Sequence, residues 1–150
     1  MAFLNAVRYI VIEGEAKTGE EAIRLCGNAL VEHKYTDERF IEACIERERE
    51  FPTGLPGVIP VAIPHSKSDG IRETSVCVLR LHEPVQFYRM DDQEQAVAVR
   101  LIFNMAIKGT DDHLVFLQKL IGLVTNQEMV EQCQSLPIQN LSAYLEKKLV

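Results

Sequence analysis

Residues 47–65 read REREFPTGLPGVIPVAIPH, and the reading of this stretch decides how the chain folds. It leaves the charged end of a helical pattern and crosses a loop dense in breakers, FPTGLPG. It then enters an apolar run, Val58–Ile63, that stops at Pro64-His65. A strand that needs only to pack ends more often in glycine, asparagine or aspartate. Here the stop is a proline, which has no N–H to give a ladder, followed by an imidazole. The expectation is a strand over Val58–Ile63 that presents His65 at its tip.

On the N-terminal side, Thr36 or Asp37 opens a helix that runs to about Glu50. Before it, TGEEAIRLCGNALVEHK begins with Thr18 and has Glu21 three residues on, the pattern of a capping box. Its Ala22, Leu25, Cys26, Ala29 and Leu30 recur at helical spacing and mark a buried face. Val7–Ile12 reads as a first strand, because the N-terminus has neither a basic leader nor a small-residue cleavage site.

Beyond His65 the apolar runs are Thr74–Leu81, the shorter Val85–Tyr88, and Gln95–Ile107, which is long for a strand. A helix starting near Asp112 carries Leu114, Leu117, Leu120, Ile121 and Val124 as an apolar stripe. Shorter helices are expected near Gln127–Cys133 and Leu141–Lys148, separated by Pro137. Helices bracket a block of strands, which predicts an α/β layered domain with a mixed β-sheet flanked by α-helices, residues 1–150 forming a single domain.

Composition narrows the function classes. The chain has 150 residues, 47% of them hydrophobic and 25% charged, as a globular domain does. A net charge of −6 argues against a nucleic-acid binder, which normally shows a basic stripe. No apolar run has the length of a membrane helix, so the chain is expected to be cytoplasmic and not membrane-embedded. Cys26, Cys44, Cys77 and Cys133 lie far apart, with no C-x-x-C, and read as small buried hydrophobes instead of metal ligands. No cofactor and no metal is called for.

The four histidines differ. His33 closes a helix between Glu32 and Lys34, and His82 precedes Pro84 at a strand end; both read as exposed terminal residues. His113 follows Asp111 and Asp112 in the first turn of the striped helix. His65 stands out because Arg47, Arg49 and Thr53 lie just upstream. A strand folding back from the Thr-Gly loop can bring arginine and histidine to one edge. Arginine offers a fixed charge and a fork of donors to phosphate oxygens. An imidazole beside it can take a phosphoryl group on nitrogen.

The Arg47-Glu48 pair, the Thr53-Gly54 loop and the Ala62-Ile63-Pro64-His65 strand end together resemble the IIA domains of the bacterial sugar phosphotransferase system. The likeness is to the fructose–mannitol group, and within it to the galactitol branch. The resemblance implies that His65 is the phosphoryl acceptor and that Arg47 stabilises the phosphoryl group. It implies that His113 falls where many relatives have a second active-site histidine, and that Thr53 belongs to the motif, touching phosphate or holding the loop. It implies a relay from phospho-HPr to His65, on to a cognate IIB subunit, and through it to a membrane IIC subunit, those subunits lying on other chains. A regulatory phosphoprotein of the nitrogen-related type is the alternative. A hydrolase is disfavoured, because no serine or cysteine sits in a nucleophile elbow.

Overall fold

The computed structural model describes residues 7–109 and 113–149, with the side chains of His113 and Leu149 outside the described set. The described strands are β1 Arg8–Gly14, β2 Gly54–Leu55, β3 Val61–Ala62, β4 His65–Ser66, β5 Ser75–Tyr88 and β6 Ala96–Ala106. The helices are α1 Gly19–Glu32, α2 Glu38–Glu50, α3 His113–Val124, α4 Gln127–Ser135 and α5 Ile138–Leu149. The strands form a mixed sheet in the order β1-β5-β6-β3-β2, with β4 also on β6. The pair β5–β6 is antiparallel, whereas β1 runs parallel to β5, and β3 and β4 run parallel to β6.

The alternation of the strands divides the interior into two layers. Cys77, Leu79 and Ile102 face α1 and α2 and meet Ile23, Leu30, Phe40 and Ile45. Val76, Val78, Leu101 and Phe103 face the other way, onto Phe116 and Leu120 of α3, Val130 of α4 and Leu141 of α5. The expected layered α/β domain with a mixed sheet is therefore the observed one.

Helix starts follow the expected chemistry. The Thr18 hydroxyl accepts from the Glu21 N–H at 3.1 Å, and the Glu21 carboxylate accepts from the N–H of Lys17. Asp37 caps α2 by accepting from the Arg39 N–H at 3.0 Å. The helix α5 starts at Ile138, directly after Pro137 and earlier than the expected Leu141, because proline's fixed φ suits a helix entrance. Arg80 ties α4 to the sheet: its Nη1 donates to the carbonyls of Cys133, Gln134 and Leu136 at 3.1, 3.2 and 2.7 Å. Those are carbonyls that a helix end leaves without internal partners.

Three strand expectations need correction. Within Val58–Ile63 only Val61–Ala62 is strand, and Val58 is 79% exposed; Pro60, just before the strand, has no N–H of its own to give a ladder. Thr74–Leu81 and Val85–Tyr88 belong to one strand, β5, whose pairing with β6 slips between Arg80 and Val85. The slip is a bulge around Pro84, so His82 sits inside a strand and not at its end; it is exposed and lies 3.4 Å from the Glu15 carboxylate. Ala96–Ala106 is strand throughout, because β5 lies along one edge of it and β3 and β4 along the other.

The two helices of the first layer meet at Gly27, where a Cβ would stand 2.5 Å from Ile41 Cγ1. Gly27→Ala is expected to destabilise the protein by about 1–3 kcal/mol through overpacking, despite alanine's better helix propensity. Urea unfolding checks this, and Ile41→Ala in the same background should recover part of the loss.

Candidate functional site

The site is built where the last turn of α2 approaches β4. The segment 61–66 runs beside β6 in one continuous register: Val61 pairs with Leu101, Ala62 with Ile102, His65 with Met105 and Ser66 with Ala106. Pro64 interrupts the strand without displacing it, since its carbonyl still accepts from the Met105 N–H at 2.9 Å. His65 is thus not an exposed tip. The sheet continues past it, and the residue is only 5% exposed.

Its Nδ1 lies 2.8 Å from the Ile63 carbonyl oxygen. A carbonyl only accepts, so Nδ1 carries the proton and the lone pair of the neutral ring resides on Nε2. Arg47, His65, Ser66 and Lys67 line one pocket of about 400 Å³. The Arg47 guanidinium also sits over the Phe51 ring, 5.2 Å from its centroid. Two permanent cations and an imidazole nitrogen sharing a small pocket suit an anionic group such as phosphoryl.

The neighbouring arginine has a different setting. Arg49 Nη2 is 2.6 Å from Glu20 on α1, and its side chain is exposed. Successive helix positions rotate by about 100°, so a two-residue step takes Arg49 away from the pocket that Arg47 enters. His113 begins α3, but its side chain and the residues Asp111 and Asp112 lie outside the described residues. His33 donates from Nδ1 to the Ala29 carbonyl at 2.9 Å as the cap of α1.

Thr53 is 2% exposed and fully engaged with protein. Its N–H and hydroxyl donate to the two oxygens of Glu48, each at 2.8 Å, and the hydroxyl accepts from the Ile63 N–H at 3.2 Å. Gly54 follows because a Cβ there would stand 2.6 Å from the Tyr88 carbonyl oxygen. Two residues escaped the sequence reading of the site. Glu48 was named only in the Arg47-Glu48 pair that carries the resemblance, with no role given to it. Lys67 was foreshadowed by its two-residue spacing from His65, which in extended chain puts both on one side.

The cysteines are buried free thiols, and burial pushes Cys133 up to about 12 and Cys44 well up too, so neither is a nucleophile near neutrality. Among the described residues no three His, Cys, Asp or Glu side chains group to hold a metal, and no helix is long and apolar enough to cross a membrane.

Comparison with known proteins defines the class. Residues 3–148 match the family described as "Phosphoenolpyruvate-dependent sugar phosphotransferase system, EIIA 2". The chain belongs to that family, and it is a phosphotransferase component. It is 33% identical to the mannitol-specific phosphotransferase enzyme IIA component of Halalkalibacterium halodurans, over 91% of this chain and 90% of that one. It is 29% identical to the galactitol-specific EIIA component of Escherichia coli K12, over 85% of each. Its fold matches the Escherichia coli mannitol IIA solved in complex with phosphorylated mannitol IIB, with a TM-score of 0.73, 23% identity, and coverage of 95% of this chain and 94% of that one.

Burial raises the Glu48 carboxyl to about 7, against the opposing pull of its two Thr53 bonds and of Arg47. The folded state therefore holds this proton more tightly than the unfolded state, whose carboxyl titrates near the ordinary 4.5. Stability from this group is greatest below about pH 4.5 and falls as pH rises to about 7. Glu48→Gln does not titrate. The stability of wild type minus that of the variant, from urea unfolding at several pH values, should decline across this window and level off above it.

Proposed function

We propose that the protein is a cytoplasmic phosphoryl carrier, a single IIA domain that accepts phosphoryl from phospho-HPr on His65 and delivers it to a IIB subunit. The observation that carries this reading is the convergence of Arg47 and His65 on one pocket, with the His65 Nδ1 proton directed to the Ile63 carbonyl. In the first transfer Nε2 bonds to phosphorus while the P–N bond to the carrier's histidine breaks, and the departing imidazole keeps the electron pair. Arg47 and Lys67 balance the charge on the phosphoryl oxygens. In the second transfer a IIB cysteine thiolate attacks, and the pair returns to His65. Both phosphohistidines are phosphoramidates of similar energy, so the first step is readily reversed.

Partner recognition rests on a surface and not on a sugar pocket. Phe51, 54% exposed beneath Arg47, supplies an apolar contact beside the site. The complex in the structural relative supports a IIB partner, and a membrane IIC is proposed beyond it. The relatives act on mannitol and galactitol, both six-carbon alditols, and the two identities do not separate them. A hexitol is therefore the proposed cargo of the pathway. The sugar-specific names of these sequence relatives favour transport over the regulatory alternative.

Incubation with labelled phosphoenolpyruvate, the general phosphotransferase enzyme and HPr should give an acid-labile, base-stable modification at His65, lost in His65→Ala. Label retained at wild-type stoichiometry in that variant would refute the assignment. Arg47→Ala should slow labelling by about 30- to 1,000-fold, the rate equivalent of a lost preorganised charge. Its melting temperature should change little, and Arg49→Ala should label at nearly the wild-type rate. Hexitol-dependent loss of label, in the presence of IIB and IIC, separates transport from regulation. At the start of α3, His113 is proposed to assist without accepting phosphate. His113→Ala should then be labelled more slowly and pass the group to IIB poorly, measured as single-turnover rates in both directions.

A further inference from the structure

Thr53, Ile63 and His65 form one hydrogen-bonded chain that begins at Glu48. Both Glu48 oxygens accept from Thr53, one from the backbone N–H and one from the hydroxyl, each at 2.8 Å. The hydroxyl proton is thereby committed to the carboxylate, and the oxygen turns a lone pair toward the N–H of Ile63. That N–H is shared between the Thr53 hydroxyl at 3.2 Å and the Thr53 carbonyl at 3.3 Å. Ile63 in turn offers its own carbonyl to His65 Nδ1 at 2.8 Å. Pro64, between them, has a fixed φ and accepts from Met105, so little freedom remains in the link.

We propose that Glu48 is a positioning residue for phosphoryl transfer, acting through Thr53 and Ile63 to hold His65 in the Nδ1–H tautomer with Nε2 toward the pocket. The inference rests on His65 being the acceptor. Without the carboxylate, the Thr53 hydroxyl is free to rotate and compete as a donor, and the Ile63 carbonyl loses its fixed place. The imidazole then samples the tautomer protonated at Nε2, which cannot attack phosphorus. A mere loop staple would affect stability while leaving a folded molecule's tautomer unchanged.

The test combines nitrogen-15 NMR of histidine-labelled protein, above the pH at which His65 is neutral, with single-turnover labelling by phospho-HPr. Wild type should show the Nδ1–H tautomer at His65. Glu48→Gln and the near-isosteric Thr53→Val should show a mixed tautomer. Their labelling rate at saturating phospho-HPr should fall about three- to tenfold, as the loss of one neutral hydrogen bond implies, with half-saturation unchanged. Thr53→Ser keeps the hydroxyl and should restore both readouts. The double variant should be no slower than the slower single one, because both cut the same chain. Thr53→Val carries the test if Glu48→Gln does not fold. A wild-type tautomer and rate in folded Thr53→Val would overturn the proposal. Absence of labelling at His65 in wild type would instead overturn the carrier reading, while the tautomer measurement still reports on Glu48.

Discussion

The pairing of residues 61–66 with β6 is the constraint on which the site depends. Two short strands, each of two residues, hold one register on either side of Ile63-Pro64. Neither would be stable alone, but β6 is a strand of eleven residues clamped on its other edge by β5. The long pair lends its rigidity to the short segment. His65 consequently sits at a fixed height on the sheet, nearly buried, with the Ile63 carbonyl two residues back setting which ring nitrogen bears the proton.

The end of α2 distributes three consecutive charged residues over three tasks. Arg47 enters the pocket of His65, Glu48 turns inward to grip Thr53, and Arg49 reaches across to Glu20 on α1. The helical rotation of about 100° per residue makes this division possible within less than one turn. It also explains why a half-buried carboxylate is kept there despite the desolvation that raises its titration to about 7. Its two acceptors fit the two donors of one threonine, and an apolar residue would leave both without partners in a tight loop.

On the proposed reading of His65 as phosphoryl acceptor, its low exposure has a use. A phosphoramidate is open to water, and a nearly buried ring within a cationic pocket restricts attack to a partner docked over the opening. Discrimination between partners then falls to the surrounding surface, where Phe51 and Val58 are exposed. It does not fall to a cavity shaped for sugar.

Much of this was legible in residues 47–65 and in the flanking periodicity. The capped helices and the layered α/β class follow from local rules of spacing and capping, whereas His65 and Arg47 were singled out by the resemblance of residues 47–65 to the IIA domains. Those rules fail where partners come from distant sequence. The apolar run before His65 looked like a full strand, yet its prolines leave only Val61–Ala62 on the ladder. His65 looked like a strand tip, yet Met105, forty residues on, continues the sheet beside it. Pro84 looked like a turn, yet pairing with β6 resumes at Val85 and carries β5 through it as a bulge. Sequence by itself determined which residues are chemically equipped for the task. Only the tertiary structure decided their burial, the protonated nitrogen and the hydrogen bonds of Glu48 to Thr53, because these depend on backbone donors and acceptors that every residue carries and that sequence does not label.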